Sequence, residues 1–327
     1  MSNASSKPVS HSSENDSPEH FQPGDSPLQP LDSPFLARAG IQLFIKRDDL
    51  IHPDFGGNKW RKLKYNLVEA RRHKHNTLLT FGGAWSNHIH ATAAAGRHFG
   101  FNTIGLIRGE ETDTPSPTLR TAADNGMQLH FLDRQRYRQK NQPDFLRALT
   151  KQYHNPYILP EGGSNSLALQ GCAEIVDEIE TRGQAFDIIC SASGTGATLA
   201  GLITRLKSGQ RAIGFSALKG GDFLNDEVRR FLREGSGQTN TKQTTIGQPD
   251  WSIETRFHFG GYARASDQLL DFIRRFHRQY GIMLDVVYTG KMFYGLWQMI
   301  KAGEFPRGSR IIVLHSGGLQ GNAGFDL

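Results

Sequence analysis

Four glycine-rich stretches of this sequence contain most of the residues that could do chemistry. They are "FGGNK" (55–59), "FGGAWSNH" (81–88), "SASGTGAT" (191–198) and "HSGGLQG" (315–321). Each follows a short apolar run that is typical of a strand. Because ligands of parallel sheets bind at the carboxyl ends of strands, where such turns lie, the four stretches together predict one binding crevice.

The first stretch opens a segment rich in cations, "GGNKWRKLKYNL". Its cations are Lys59, Arg61, Lys62 and Lys64. Asn58 is a favourable N-cap, which predicts that Lys59 lies in the first turn of a helix. At about 100° per residue, Lys59 lies about 40° from Leu63 on the buried face. Arg61 and Lys64 are predicted to point away from that face, toward solvent.

Lys59 is therefore the cation with a candidate chemical role. An amine at the positive end of a helix, partly buried and beside other cations such as Lys62, should have a lowered pKa. Lys62, about 60° to the other side of Lys59, would contribute to this local positive field. Only a neutral amine attacks a carbonyl, so the setting suits a Schiff-base lysine. The alternative is an ordinary first-turn lysine.

The third stretch, "SASGTGATLAG", has the composition of an anion site. Its glycines let backbone N–H groups approach an anion, and Ser193, Thr195 and Thr198 can add hydroxyl donors. It matches neither a Walker loop nor the spacing G-x-G-x-x-G. The alternative interpretation is a tight turn with a polar cap.

The second stretch offers Ser86 and Asn87, and either residue could cap the helix that follows. A functional interpretation adds a hydroxyl and an amide for a ligand. His88 and His90 are two positions apart and would diverge on a helix, so no metal site is expected there. Two tyrosines, Tyr262 and Tyr288, stand beside glycines after apolar runs, where they could be core residues or proton donors.

The elements that must position these residues alternate along the chain as short β-branched runs and helical stretches. This alternation predicts parallel sheets covered by helices. Residues 1–29 are rich in Ser, Pro, Asp and Glu and are predicted to be a disordered tail. Residues 235–256 are predicted to be a surface excursion.

Composition limits the class of protein. The 327 residues contain two cysteines and have a formal net charge of +6. No apolar run is long enough to span a membrane and no secretory leader is expected, so the predicted location is the cytoplasm. The basic residues are spread along the chain without a nucleic-acid motif, which favours a small anionic ligand over nucleic acid.

Six ordered motifs, "IKRDDL", "GGNKWRKL", "GGAWSNH", "SGTGATLAG", "DVVYTGK" and "HSGG", carry a resemblance to a known family. Together they resemble the tryptophan-synthase-β-like (fold type II) pyridoxal-phosphate enzymes. Within these the sequence is similar to the 1-aminocyclopropane-1-carboxylate deaminase/D-cysteine desulfhydrase family, over roughly residues 27–322.

The resemblance implies a role for each matching residue and pyridoxal 5'-phosphate as cofactor. Implied catalytic residues are Lys59 (the Schiff-base lysine), Ser86, Tyr262 and Tyr288. Implied cofactor-binding residues are Lys59, Asn87, Ser193, Gly194, Thr195, Gly196, Ala197, Thr198, Thr289 and Ser316. Implied substrate-binding residues are Trp85, Ser86, Asn87 and His88. No metal is implied.

Two departures from the family pattern affect the expected substrate. The deaminases have a glutamate after the second tyrosine, where it pairs with the pyridine nitrogen; here Thr289 follows Tyr288 and Ser316 follows His315. A hydroxyl cannot enforce a protonated ring, so the electron sink is weaker and β-elimination is favoured over cyclopropane opening. Trp85 stands where better-known members have a smaller or polar residue, often glutamine.

The resulting prediction is an α/β protein with two open, twisted, mostly parallel sheets and flanking helices. A large cofactor-binding domain would comprise residues 30–58 plus 160–327, and a small domain residues 59–159. The predicted reaction is desulfhydrase-like β-elimination from a small D-amino acid. Alternatives are 1-aminocyclopropane-1-carboxylate deamination, elimination or racemisation of another amino acid, and a catalytically silent cofactor-binding protein. The resemblance also implies a homodimer, without nucleic-acid or membrane partners.

Overall fold

The computed structural model describes residues 17–235, 249–325 and 327. The strands are β1 (Leu28–Leu31), β2 (Gln42–Lys46), β3 (Thr77–Gly82), β4 (Asn102–Arg108), β5 (Met127–Leu132), β6 (Tyr157–Ile158), β7 (Ile188–Ser193), β8 (Arg211–Ser216), β9 (Asp250–Glu254) and β10 (Arg310–Leu314). The helices are α1 (Pro34–Ala39), α2 (Asn58–Arg72), α3 (Asn87–Phe99), α4 (Pro117–Asp124), α5 (Arg134–Tyr137), α6 (Pro143–Gln152), α7 (Ser166–Thr181), α8 (Ala197–Ile203), α9 (Leu224–Gly235), α10 (Asp267–Tyr280) and α11 (Thr289–Lys301).

The strands form two sheets. The larger has the order β1-β2-β10-β7-β8-β9 and the smaller the order β5-β4-β3-β6. Every neighbouring pair is parallel except β1 with β2. The predicted fold class, two mostly parallel sheets with flanking helices, is confirmed.

Central strands are apolar on both faces because helices cover both sides of each sheet. In β10, Ile311 and Val313 belong to one core cluster with α10 and α11, whereas Ile312 and Leu314 belong to another with α7, α8 and α9. This two-sided burial fixes the carboxyl end of β10, from which the "HSGG" loop leaves.

Helix α2 is covered on two sides, so the prediction that Arg61 points to solvent is wrong. Trp60, Leu63 and Leu67 pack in a cluster of the smaller sheet. On another side α7 approaches so closely that a Cβ at Gly171 would lie 1.9 Å from the Arg61 carbonyl oxygen. Arg61, predicted to point to solvent, is therefore only 4% exposed. Helical phase identified the first covered side but not the second.

Gly57 allows the loop before Lys59 to touch the loop after β10. Its φ is +66°, and a Cβ there would lie 1.9 Å from the carbonyl oxygen of Ser316. Only glycine fits both requirements. Two of the four glycine-rich stretches are therefore in direct backbone contact.

Two other segments differ from their predictions. The predicted tail falls partly outside the described residues (1–16), but Phe21 packs against Trp60 and Ser26 is 6% exposed, so its later part is ordered. The predicted excursion falls outside the described residues at 236–248, but β9 (Asp250–Glu254) pairs with β8 as an edge strand. The smaller sheet draws its strands from residues 77–158, and the exact limits of the two domains stay a prediction.

Within the described ranges, no helix has both the length and the apolar character needed to cross a lipid bilayer. The same residues contain no group of three or more His, Cys, Asp or Glu side chains placed to hold a metal ion.

Candidate active site

All four glycine-rich stretches line one cavity of about 1070 Å³. Lys59 comes from the first stretch, Ser86 from the second, Thr195 from the third and Ser316 from the fourth. β7 and β10 are parallel neighbours in the larger sheet, so the loops that follow them leave from the same edge, and the other two stretches meet them at the cavity. The structure thus forms the single crevice that the sequence predicts.

Most of the predicted site residues line this cavity. Those that do are Lys59, Ser86, Asn87, His88, Ser193, Gly194, Thr195, Gly196, Thr198, Tyr262, Tyr288 and Ser316. Trp85, Ala197 and Thr289 do not contribute to its wall.

The amine of Lys59 has the lowered pKa that its sequence context predicts. Burial, together with the charge of Lys62, lowers the pKa of Lys59 from 10.5 to about 7. Its helix begins one residue earlier than predicted: Gly57 is the N-cap and Asn58 is already helical. The Asn58 side chain instead donates to the hydroxyl of Thr198, 3.1 Å away, and so joins α2 to the start of α8.

Lys62 makes specific contacts, in addition to the contribution to the positive field that the sequence predicts. Its Nζ donates to the carbonyl of Gly162 at 3.1 Å and to the hydroxyls of Ser164 and Thr195, each at 3.3 Å. Burial lowers the pKa of Lys62, and it has no carboxylate partner among the ion pairs of the described residues. An ammonium beside the Thr195 loop is well placed to neutralise an anion there.

The loop between β7 and α8 fits a phosphate group. Gly194, Thr195 and Gly196 lie outside helix and strand, and within the described part of the chain their backbone N–H groups donate to no protein acceptor. Gly196 has a φ of +83°, which turns the chain into α8, and a Cβ on Gly194 would lie 3.0 Å from the ring of Tyr288. Free N–H groups at a helix N-terminus, with the Lys62 ammonium, form a cradle for a phosphate. The residues present therefore fit the phosphate of pyridoxal phosphate.

Two members of the predicted phosphate site contribute differently. Ala197 begins α8 and its side chain is fully buried in the core, so only its backbone could contact an anion. The Ser193 hydroxyl is buried without a hydrogen-bond partner among the described residues, and a Cβ on Gly214 of the next strand would lie 2.8 Å from it. It therefore faces the sheet.

The start of α3 holds three predicted site residues in fixed positions. Ser86 is the N-cap, and its hydroxyl accepts from the backbone N–H of Ile89 at 3.3 Å. Asn87 accepts a hydrogen bond from Gln320 at 2.6 Å. His88 shares a hydrogen bond of 2.8 Å with Thr80, and burial and the nearby lysines lower its pKa well below the usual value. His88 is therefore a neutral group.

Tyr262 and Tyr288 are neighbours in the cavity wall, with their rings packed edge to face. Their ring centroids are 6.2 Å apart, and the Tyr262 hydroxyl donates to the carbonyl of Trp85 at 2.9 Å. Burial raises the pKa of Tyr262 to about 12 and that of Tyr288 well above its ordinary value. Both are protonated at neutral pH, so each can act as a hydrogen-bond or proton donor.

Thr289, which the resemblance implies as a cofactor contact, does not line the cavity. It is fully buried, and its hydroxyl donates to Oδ2 of Asp285 at 2.6 Å and accepts from the Asp285 backbone N–H at 2.9 Å. Asp285 also accepts from the backbone N–H groups of Val287, Tyr288 and Thr289. Thr289 thus helps Asp285 to cap α11. Ser316 is left as the implied hydroxyl on the cavity wall.

Trp85 also differs from its prediction as a substrate contact. Its indole packs on the segment after β10, where a Cβ at Gly324 would lie 2.6 Å from the ring. Only its backbone carbonyl reaches the site, through Tyr262.

Sequence reasoning missed several residues of the wall. Arg108 ends β4, Glu161 follows β6 and Lys140 follows α5, and all three line the cavity. Their common signal was a position at the end of a strand or helix, or three residues beyond it. Asp285 carries no motif of its own and was not singled out, although it holds Tyr288.

Comparison with known proteins identifies the family and the fold. Residues 21–317 match the family described as pyridoxal-phosphate dependent enzyme. The bifunctional D-cysteine desulfhydrase/1-aminocyclopropane-1-carboxylate deaminase of Arabidopsis thaliana mitochondria is 31% identical, over 86% of this chain and 73% of that protein. The 1-aminocyclopropane-1-carboxylate deaminase of Pseudomonas syringae pv. tomato is 30% identical, over 90% of this chain and 92% of that protein. A crystal structure of a homologue of that deaminase superimposes with a TM-score of 0.78 at 29% identity, covering 92% and 91% of the two chains.

Proposed function

This chain belongs to the family of pyridoxal-phosphate dependent enzymes, and we propose that it removes the β-substituent of a small D-amino acid, as in the desulfhydration of D-cysteine. It is a lyase of the 1-aminocyclopropane-1-carboxylate deaminase/D-cysteine desulfhydrase family, and its cofactor is pyridoxal 5'-phosphate.

The observation that supports elimination is that Ser316, a neutral hydroxyl, shares the cavity wall with Lys59. Ser316 lines the main cavity together with Lys59 and Asn87, and the same three residues line a second cavity of about 140 Å³ behind them. A neutral hydroxyl at this point cannot enforce a protonated ring nitrogen, which leaves the cofactor a weaker electron sink. Such a site suits a reaction in which a leaving group takes up the electrons.

The side chains of this protein supply the remaining chemistry. When bound, pyridoxal phosphate supplies an aldehyde that links covalently to amines and a conjugated ring that accepts electrons. Lys59, with a pKa of about 7, has a large neutral fraction at neutral pH and can form that link or accept the α-proton of a substrate. The N-terminus of α3, after Ser86, can orient the substrate carboxylate. Tyr262 or Tyr288 can donate a proton to the departing sulfur.

The proposed reaction consumes one water and no oxidant. The Cα–H and Cβ–S bonds of D-cysteine break, and sulfur leaves with the bonding electrons and takes up a proton. Hydrolysis then replaces nitrogen by oxygen at Cα. The products are pyruvate, ammonia and hydrogen sulfide.

The test is to incubate the purified protein, loaded with pyridoxal phosphate, with D-cysteine, L-cysteine, D-serine and 1-aminocyclopropane-1-carboxylate. Sulfide and pyruvate from D-cysteine, absent in Lys59→Ala, support the proposal. Turnover of none of the four, with cofactor bound, would favour a binding protein without activity.

Deamination of 1-aminocyclopropane-1-carboxylate is the second candidate. It is favoured by the name of the Pseudomonas relative, which matches over 90% of this chain. Release of 2-oxobutyrate from the cyclopropane acid, without sulfide from D-cysteine, would establish this candidate and overturn the first.

We also propose that the protein acts in the cytoplasm as a homodimer, with a small amino acid as its ligand. Light scattering of the purified protein would measure its mass against the 36.4 kDa of one chain. A single-chain mass at working concentration would contradict the dimer.

A further inference from the structure

A charged cluster lies in the part of the cavity wall that comes from the smaller sheet. It comprises Arg108, Lys140 and Glu161, and all three line the cavity. Two cations and one carboxylate leave an excess of one positive charge. The proposed function gives no role to this excess.

Arg108 lies next to the loop that carries Ser86. It is the last residue of β4, and its Nη2 is 3.6 Å from the position that a Cβ on Gly83 would occupy. Tyr262 hydrogen-bonds to the carbonyl of Trp85 in the same loop. The charge of Arg108 opposes the effect of burial on the pKa of Tyr262, which places the two groups near each other. The guanidinium therefore faces the same volume as the proposed proton donors.

Arg108 is also the cation of the cluster that lacks a counterion. Lys140 lies 3.4 Å from Glu161, and Glu161 also accepts from the Tyr137 hydroxyl at 2.8 Å. The exposed guanidinium of Arg108, by contrast, forms no hydrogen bond or ion pair with any described residue and only lies over the ring of Tyr137, 5.8 Å from its centroid. A guanidinium offers a planar fork of donors that matches a carboxylate, sulfonate or phosphate.

We propose that Arg108 binds an acidic group on the side chain of the substrate, so that the preferred substrates are small amino acids with an anionic β-substituent. The proposal rests on the proposed function, in which the N-terminus of α3 takes the α-carboxylate. Arg108, elsewhere on the cavity wall, is then available to bind the second acidic group, on the side chain of the substrate. With one water, such a substrate gives pyruvate, ammonia and HX, the acid of the leaving group X. The Cα–H and Cβ–X bonds break, X departs with the electron pair of the Cβ–X bond and takes up a proton, and water replaces nitrogen by oxygen at Cα.

Binding can be tested with an isosteric pair that differs in charge. D-aspartate and D-asparagine have nearly the same shape, and the carboxylate of aspartate is too poor a leaving group to be eliminated. Their dissociation constants are measured from the visible spectrum of the cofactor-loaded protein, with the L-enantiomers in parallel. We expect D-aspartate to bind at least about tenfold more tightly, because hydrogen bonds to charged groups contribute roughly 1.5–3 kcal/mol.

The variant Arg108→Gln should abolish this preference while the affinity for D-asparagine stays within about twofold. Arg134→Gln removes an exposed arginine that does not line the cavity, and should change neither value. Equal affinity of the wild type for both compounds, or an equal loss for both in Arg108→Gln, would overturn the inference.

Turnover separates this inference from the proposed function. Suppose that O-phospho-D-serine gives pyruvate with a higher kcat/KM than D-serine does, and that Arg108→Gln lowers only the kcat/KM for O-phospho-D-serine. The inference and the proposed function then both stand. If no β-substituted amino acid is eliminated but the acid preference still depends on Arg108, the proposed function fails and the inference stands. If D-cysteine is desulfhydrated equally well by Arg108→Gln and no acid is preferred, only the inference fails.

Discussion

Arg61 forms a two-point ion pair with Asp48, with Nε and Nη2 each 3.0 Å from a carboxylate oxygen. Asp48 is fully buried and also accepts from Lys46 at 3.1 Å. Glu178 of α7 contacts both cations. This network ties β2, α2 and α7 together, so it holds the helix that presents the reactive amine.

Replacing Arg61 should therefore destabilise the protein strongly. Arg61→Met leaves Asp48 buried with only Lys46 as a cationic partner, and we expect the free energy of unfolding to fall by about 3 kcal/mol. Urea denaturation of the apoprotein measures this. Lys64→Met is the matched control on the same helix, because Lys64 and Glu174 have side chains 32% and 25% exposed and their pair should contribute no more than about 1 kcal/mol. Equal losses in the two variants would contradict this role of Arg61.

The reactivity of Lys59 should depend on pH with a midpoint near 7. Burial and Lys62 lower its pKa to about 7, so Nζ is neutral above that pH and protonated below it. Covalent capture of pyridoxal phosphate should slow as pH falls through 7 and level off above it. Stopped-flow absorbance at a series of pH values measures the rate.

A substitution of Lys62 tests why the pKa of Lys59 is low. Because the charge of Lys62 lowers the pKa of Lys59, Lys62→Gln should move the midpoint to higher pH. It should also weaken cofactor affinity, since Nζ of Lys62 lies beside Thr195. Lys64→Gln should leave the midpoint in place. A Lys62→Gln profile that coincides with the wild type would show that burial alone sets the pKa.

Helical phase and turn composition were sufficient to predict parallel sheets, a single crevice and the place of Lys59 on its wall, whereas the chemical role of Lys59 stays a prediction. They failed where the answer depended on a second layer of structure. Arg61 is buried because α7 covers α2 from the other side, and nothing within α2 encodes that contact. Thr289 turns to Asp285 because a buried carboxylate four residues earlier caps the same helix, which a motif matched residue by residue does not show. Arg108 belongs to no motif, and only the folded sheet brings it to the cavity.

Lys291 should control the order of the loop that carries Tyr262. Its buried Nζ donates to the carbonyls of Gly261 at 2.6 Å, His258 at 2.9 Å and Ala217 at 3.4 Å. Lys291→Met leaves these carbonyls without their donor, so we expect faster amide hydrogen exchange at residues 258–264. Lys301→Met, at the exposed end of the same helix, serves as control.

The lowered pKa of Lys291 predicts that the protein gains stability as the solution becomes alkaline. Burial lowers the pKa of Lys291 from 10.5 to about 8, so the folded state releases this proton at a lower pH than the unfolded chain does. The free energy of unfolding of the wild type should therefore increase between these two pH values, as measured by urea denaturation. In Lys291→Met this increase should be absent. An increase of the same size in both proteins would rule out Lys291 as its source.

The last prediction separates the two hydroxyls that could meet the cofactor ring. Ser316 lines both cavities with Lys59, whereas the Thr289 hydroxyl is committed to Asp285. Ser316→Ala should shift the visible absorption of the bound cofactor, and its dependence on pH, with little change in stability. Thr289→Val should leave the spectrum unchanged but cost about 1–3 kcal/mol of unfolding free energy, because Asp285 loses a buried donor. A larger spectral shift in Thr289→Val than in Ser316→Ala would reverse the assignment, and would place the hydroxyl after Tyr288 at the ring after all.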